Sequence, residues 1–226
     1  MIERGMIFNG EMVRAILDGR KTQTRRPVKF PVLDKSLGCE LAGNELAGEL
    51  SAGSYLNSAF GKPGDRIWVR EAYRFPASLD DVSPTGVGEM AMATGYKKPW
   101  APTFYEFTGT FSDGWKGFET PPKVSGAGKL RPSIHMPRWA SRILLEITEV
   151  RVERLNSIHD VDAMREGIQN LTTCSHADFG IPGVVNAQHP VRAFQLLWES
   201  IYGAESWKAN PWVWVIEFKR IEGAGK

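Results

Sequence analysis

The run Gly19-Arg20-Lys21-Thr22-Gln23-Thr24-Arg25-Arg26 gathers side chains whose types and spacing could do chemistry. Residues 20–29 hold five basic groups, Arg20, Lys21, Arg25, Arg26 and Lys29, and no acid. Cations beside a turn can hold a phosphate or a carboxylate. A threonine hydroxyl among them is a weak nucleophile that needs a base. Lysine is such a base only when neutral, so its ordinary pKa of about 10.4 must fall through burial or beside another cation such as Arg26. The alternative is a solvated, charged sheet edge, which basic residues often supply. On a regular strand Thr24 and Arg26 share one face, and Gln23 and Arg25 the other. Lys21, three residues before Thr24, then lies on the opposite face from it. The two converge only if Lys21 sits on the turn after the helix, where Gly19 already places it.

The elements around this run are readable from apolar spacing. Residues 8–19 predict a helix capped by Asn9, with Met12, Val13, Ile16 and Leu17 on one stripe and Gly19 as a left-handed stop. Residues 22–26, ending at Pro27, read as a short strand. Residues 30–60 lose the pattern and read as an insertion with little regular structure. A turn at Gly61-Lys62-Pro63-Gly64-Asp65 precedes a strand over 66–73. Residues 75–131 are rich in Pro, Gly and aromatics. A structureless loop of that length is improbable, so we expect a hairpin near 104–110. A long strand spans 142–155, and its apolar phase slips between Ile147 and Val150.

Further along, 160–167 predicts a short helix capped by Asp160, with Val161, Met164 and Ile168 facing inward and Gly167 as its stop. Residues 172–190 read as a loop. A helix over 191–202 carries the stripe Phe194, Leu197, Trp198, Ile201, and 212–221 is the closing strand. Cys174, His176, Asp178 and His189 fall in one stretch, but their spacing fits no common zinc pattern, and no metal or cofactor is expected.

Composition sets the frame. The chain has 226 residues, 42% of them hydrophobic, which excludes wholesale disorder. With 28 basic against 26 acidic residues the formal charge is +2, which excludes a uniformly basic coat but not a local basic patch. Two cysteines cannot build a disulfide framework. The opening Met-Ile-Glu-Arg-Gly lacks a signal peptide's order, and no apolar run reaches the roughly 18 residues of a membrane span. The expectation is a cytoplasmic protein with no membrane partner, built as one α+β domain over 1–226 with insertions at about 30–60 and 76–131.

Gly19, Lys21, Thr24 and Arg26, as Gly-x-Lys-x-x-Thr-x-Arg, resemble the signature of the ASCH family, a branch of the PUA-like fold. Gly64-Asp65-Arg66-Ile67-Trp68-Val69-Arg70 is similar to the family's second strand. Ala163-Met164-Arg165-Glu166-Gly167-Ile168 is similar to its short helix carrying an acid, and Trp214-Val215-Ile216-Glu217-Phe218 to its closing strand. These pieces cover about half of the chain, and the whole resembles the larger ASCH proteins of tailed phages and prophages. The resemblance implies a small PUA-like β-barrel with short helices at its rim and long loop insertions. It also implies a cleft that receives a nucleoside or RNA.

One bacterial branch of the family is an amidohydrolase acting on N4-acetylcytidine. By motif position its catalytic lysine, threonine and glutamate fall on Lys21, Thr24 and Glu166. Many ASCH proteins carry glutamate where this chain has Thr24, which favours the hydrolase branch. Thr24 could attack, with Lys21 as base and Glu166 passing a proton to the leaving amine. Glu166 could instead orient Lys21, and a water-attack route with Glu166 as base is also open. Arg25, Arg26, Trp68, Arg70, Glu71, Arg138 and Trp139 are the candidate binding residues, by stacking or phosphate contact. For Trp68 the competing role is core packing, and for Arg138 and Trp139 it is a loop that closes the fold. His135 reads as a loop anchor. The alternative function is a non-catalytic nucleic-acid-binding accessory protein of a phage or prophage, and a third reading is an accessory protein whose cleft is vestigial.

Overall fold

The structure is a computed structural model, and the residues it describes are 1–112, 126–173 and 176–221. They form a mixed α+β fold. In chain order the elements are β1 (Glu3–Ile7), α1 (Gly10–Leu17), β2 (Gln23–Pro27), β3 (Val32–Leu33), β4 (Glu40–Leu41), α2 (Gly43–Ser51), β5 (Arg66–Arg70), β6 (Tyr73–Arg74), α3 (Pro84–Ala93), β7 (Thr103–Tyr105), β8 (Thr110–Ser112), β9 (Leu144–Arg154), α4 (Asp160–Arg165), β10 (Gln169–Asn170), β11 (Phe179–Ile181), β12 (Val185–Ala187), α5 (Pro190–Tyr202) and β13 (Trp212–Arg220). Among the described residues no sheet closes into a barrel, and no helix is long and apolar enough to cross a membrane.

The chain divides into two compact units. The first comprises Met1–Ile2, Ala15–Arg66 and Glu146–Arg220, and the second the described residues of Glu3–Arg14, Ile67–Leu145 and Ile221–Lys226.

In the first unit β2 and β13 pair antiparallel, with Gln23 opposite Glu217, Thr24 opposite Ile216, Arg25 opposite Val215 and Arg26 opposite Trp214. The Phe218 N–H also donates to the Thr22 carbonyl at 2.9 Å, so the ladder continues to the start of β2. Ala15 and Gly19 set that start. The Ala15 carbonyl accepts from the N–H groups of Arg20 and Lys21, and Gly19 takes φ +75°, where an L side chain is strained. The core joins Leu155, Ala163, Ile168, Phe194, Leu197 and Trp198 to Val213 and Val215. Val215 stands opposite Arg25, so α4 and α5 cover the sheet face that carries Gln23 and Arg25.

In the second unit Tyr73, Phe75, Val87, Tyr105 and Met136 form the core. The Asn9 carboxamide accepts from the Met12 N–H at 2.9 Å, as its capping position requires. β7 and β8 form the expected hairpin. The phase slip is present too: Ile147, Val150 and Val152 are buried while Thr148 and Glu149 are both exposed.

Several expectations are corrected. Residues 30–60 contain the β3–β4 pair and helix α2, whose Leu46 and Leu50 are buried one turn apart. Gly43 and Gly48 had diluted the helical pattern, yet Gly43 is needed because a Cβ there would run into the Trp212 indole. Helix α3 lies inside 75–131, started by Ser83, whose hydroxyl accepts from the Gly86 N–H. Residues 172–190 hold the β11–β12 hairpin. Helix α4 has His159, not Asp160, at its cap position, because the Asp162 carboxylate reaches back to the His159 N–H at 3.3 Å. Val161 is 63% exposed and Ile201 44% exposed, so neither faces the core.

Candidate active site

Lys21 follows the Gly19 turn, but the ladder running back to Thr22 keeps its side chain on the face of Gln23 and Arg25. There it meets the C-terminal end of α4. Its ammonium donates to Glu166 Oε2 at 2.7 Å and to the Glu166 carbonyl at 2.9 Å. Arg25 Nη1 lies 3.2 Å from the other carboxylate oxygen, Oε1. Each oxygen of Glu166 thus has its own cation. The side chains of Lys21 and Arg25 are 0% exposed and that of Glu166 3%.

Around this trio the charges continue in pairs. Arg25 Nη2 is 2.6 Å from Glu153 and 3.6 Å from Asp162. Arg151 is 2.7 Å from Glu217, 3.2 Å from Glu153 and 3.6 Å from Asp162. Arg165 stands 3.5 Å from Glu217. The buried Gln23 amide fits with its oxygen accepting from Arg25 and its nitrogen donating to Glu217 at 3.2 Å and Asp162 at 3.3 Å. Lys21, Arg25, Arg151 and Arg165 therefore balance Glu153, Asp162, Glu166 and Glu217.

Burial pushes the Lys21 ammonium below its ordinary pKa. Glu166 opposes that push through charge and hydrogen bond, and Arg26 and Arg25 reinforce it. The two causes anticipated from sequence, burial and Arg26, both act here, and so does the opposing carboxylate.

Thr24 is placed differently. It is buried, but alternation along β2 puts it with Arg26 on the sheet face opposite Lys21, Arg25 and Glu166. Of the three residues expected to act together, the structure joins Lys21 and Glu166 and sets Thr24 behind the strand. Arg25, expected to bind substrate, is instead committed to three carboxylates.

The remaining candidates belong to the second unit. Trp68 is buried, with Arg70 stacked 4.5 Å above its ring, and a Cβ on Gly5 would come within 2.7 Å of it. That is core packing. Glu71 is buried and paired in two-pronged fashion with Arg142 at 2.8 and 2.9 Å. Arg142 also lies 4.0 Å over the Tyr105 ring. Arg138 meets Glu3 at 2.8 Å, and Trp139 stacks on Phe75 at 5.4 Å. The His135 carbonyl accepts from the Tyr73 hydroxyl at 2.8 Å, a loop-anchoring contact. Among the described residues no group of three His, Cys, Asp or Glu could hold a metal; Cys174 lies outside them.

A cleft of ≈ 500 Å³ adjoins the Lys21–Glu166 pair, lined by Gly19, Arg20, Thr22, Val161, Met164, Arg165, Ile168, Gln169 and Asn170. Arg20 and Thr22 flank Lys21 in sequence, and Arg165 precedes Glu166, so the pair sits behind the cleft wall. The sequence reading singled out the run that holds Gly19, Arg20 and Thr22 but missed the rest of this lining as a cleft, as it missed Glu153, Asp162, Arg151 and Glu217. The signals existed: Arg151 and Glu153 alternate with Val150 and Val152, and Glu217 interrupts the apolar run from Trp212 to Phe218.

No protein-family model, curated protein or solved structure matches this chain.

Proposed function

We propose that the first unit is a nucleoside-directed amidohydrolase of the PUA-like ASCH kind, removing the acyl group from N4-acylated cytidine by water attack. The observation that carries this reading is the 2.7 Å pair of Lys21 and Glu166 beside a cleft, with the lysine held below its ordinary pKa. A buried lysine pushed from its ordinary range by burial and by specific charged neighbours, beside a hollow, is a candidate functional centre.

In this scheme Glu166 takes a proton from water as the oxygen attacks the acyl carbonyl. The Lys21 ammonium stabilises the developing oxyanion. The C–N4 bond then breaks, and the proton passes to the departing amine, giving cytidine and the free acid. Arg25 is a positioning residue, fixing the Glu166 carboxylate from its second oxygen. Thr24 has no bond-making part, since it faces away from the pair. Substrate approaches through the cleft, and Arg20 and Arg165 must yield to bring the carbonyl to Glu166.

A second reading is favoured by the burial of the trio. Side chains exposed by 0–3% and held in ion pairs also describe a structural staple, which would leave the protein a non-catalytic nucleoside- or RNA-binding accessory. Incubation with N4-acetylcytidine separates the two. Cytidine release that disappears in Glu166→Gln supports the hydrolase. No release, together with salt-dependent RNA binding weakened by Arg26→Ala, supports the binding module.

A further inference from the structure

We propose that the cleft between the α1–β2 turn and α4 binds a nucleoside 5′-monophosphate, so that the ligand carries its own phosphate. This deepens the nucleoside reading above and rests on it for the base. Three properties of the wall point to an anion with a planar polar body.

The first is charge. None of the nine lining residues is acidic and two are arginines. Arg165 is half-exposed, and its carboxylate partner Glu217 is 3.5 Å away and already bound by Arg151 at 2.7 Å. Arg20 holds Asp18 at 2.9 Å and donates to the Gly167 carbonyl at 3.4 Å, contacts that an incoming phosphate can replace. Two guanidinium groups lining one hollow, each held by exchangeable contacts, match a phosphate dianion.

The second is unused hydrogen-bonding capacity. The Thr22 hydroxyl and the Gln169 amide have no protein partner among the described residues. Asn170 uses only its oxygen, accepting from the Thr172 N–H at 3.0 Å. A primary amide presents a donor and an acceptor side by side, the arrangement that pairs with a base edge.

The third is an apolar wall. Val161 is 63% exposed although it sits on a helix whose opposite side is buried, and it lines the cleft with Met164 and Ile168. A phosphate alone has no use for that surface, whereas the flat side of a base does. The volume of ≈ 500 Å³ lies within the range of sites that hold small organic ligands.

Isothermal titration of the full chain with cytidine, cytidine 5′-monophosphate and inorganic phosphate tests the proposal. The monophosphate is expected to bind at least about tenfold more tightly than either of the others, as charge-assisted bonds to two arginines imply. Arg165→Gln, at a half-exposed position, should remove most of that advantage and lower monophosphate affinity more than cytidine affinity. Gln169→Ala should weaken the monophosphate but not inorganic phosphate. Equal affinity for cytidine and its monophosphate overturns the proposal. So does inorganic phosphate binding as tightly as the nucleotide, which would mark an anion patch only, and so does no binding of any of them. Hydrolysis of N4-acetylcytidine without the phosphate preference would remove this inference and keep the hydrolase. The preference without hydrolysis would do the reverse.

Discussion

Glu166→Gln removes one charge and almost no volume, and the structure says where the damage falls. Each carboxylate oxygen faces a different cation, Lys21 at 2.7 Å and Arg25 at 3.2 Å. An amide has one oxygen and one NH₂, so in either orientation its donor confronts a buried donor. Lys21 loses its only carboxylate partner among the described residues, while Arg25 keeps Glu153 and Asp162. Removing one member of a buried ion pair costs about 3–5 kcal/mol. For a chain of this size that is a fall of roughly 6–20 °C in melting temperature.

The cost also acquires a pH dependence. Without Glu166, only influences that lower the Lys21 pKa remain: burial, Arg26 and Arg25. A lysine whose folded pKa lies below its unfolded value of 10.5 destabilises the fold fully at pH below the folded value. That penalty fades as pH rises toward 10.5, because the unfolded chain binds the extra proton. Thermal unfolding followed by circular dichroism at pH 7 and at pH 9.5 should show the variant's deficit shrinking at the higher pH. A variant within about 1 kcal/mol of the parent at pH 7, or a deficit that grows with pH, refutes the buried pair.

Other outcomes follow from the same geometry. Arg25→Gln leaves Glu153, Asp162 and Glu166 short of their shared cation, and chemical denaturation should show a loss of about 3–5 kcal/mol. Replacing Lys21 and Glu166 together by Met and Leu should destabilise less than Glu166→Gln alone while abolishing turnover, because no unpaired charge is left inside. Gly180→Ala would drive a Cβ into the Val185 carbonyl and to 2.8 Å from the Asn186 Cα. Hydrogen exchange should therefore show the β11–β12 amides losing protection, with a stability loss of about 1–3 kcal/mol. Thr24→Val removes the hydroxyl behind β2, and N4-acetylcytidine turnover should persist; its loss would restore the threonine as nucleophile.

Periodicity carried much of the fold, and its failures have physical causes. The helix over 10–17, the strand over 23–27, the slip in β9, the α5 helix and the closing strand all follow from apolar spacing that burial then uses. Helix α2 was invisible because two glycines thin its apolar side, and Gly43 answers to Trp212, far along the chain. Val161 followed the helical stripe yet faces outward, since the stripe was short and the cleft takes its place. In the site, the meeting of Lys21 with Glu166, 145 residues further on, is implied by the family resemblance alone and by no spacing in the sequence. The position of Thr24 turned on whether the ladder extends back past Gln23, and the Gly19 turn suggested that it stops there. The bond from Phe218 to Thr22 decides it. The carboxylates that hold Arg25 come from β9 and α4, more than a hundred residues away, and no local pattern announces such a meeting.

The account is tested most directly by following cytidine release from N4-acetylcytidine by the full chain and by its Glu166→Gln variant, at a temperature where both remain folded. It predicts release by the parent chain and none above background by the variant. A folded parent chain that releases no cytidine, or a variant that releases it as fast as the parent, would contradict it.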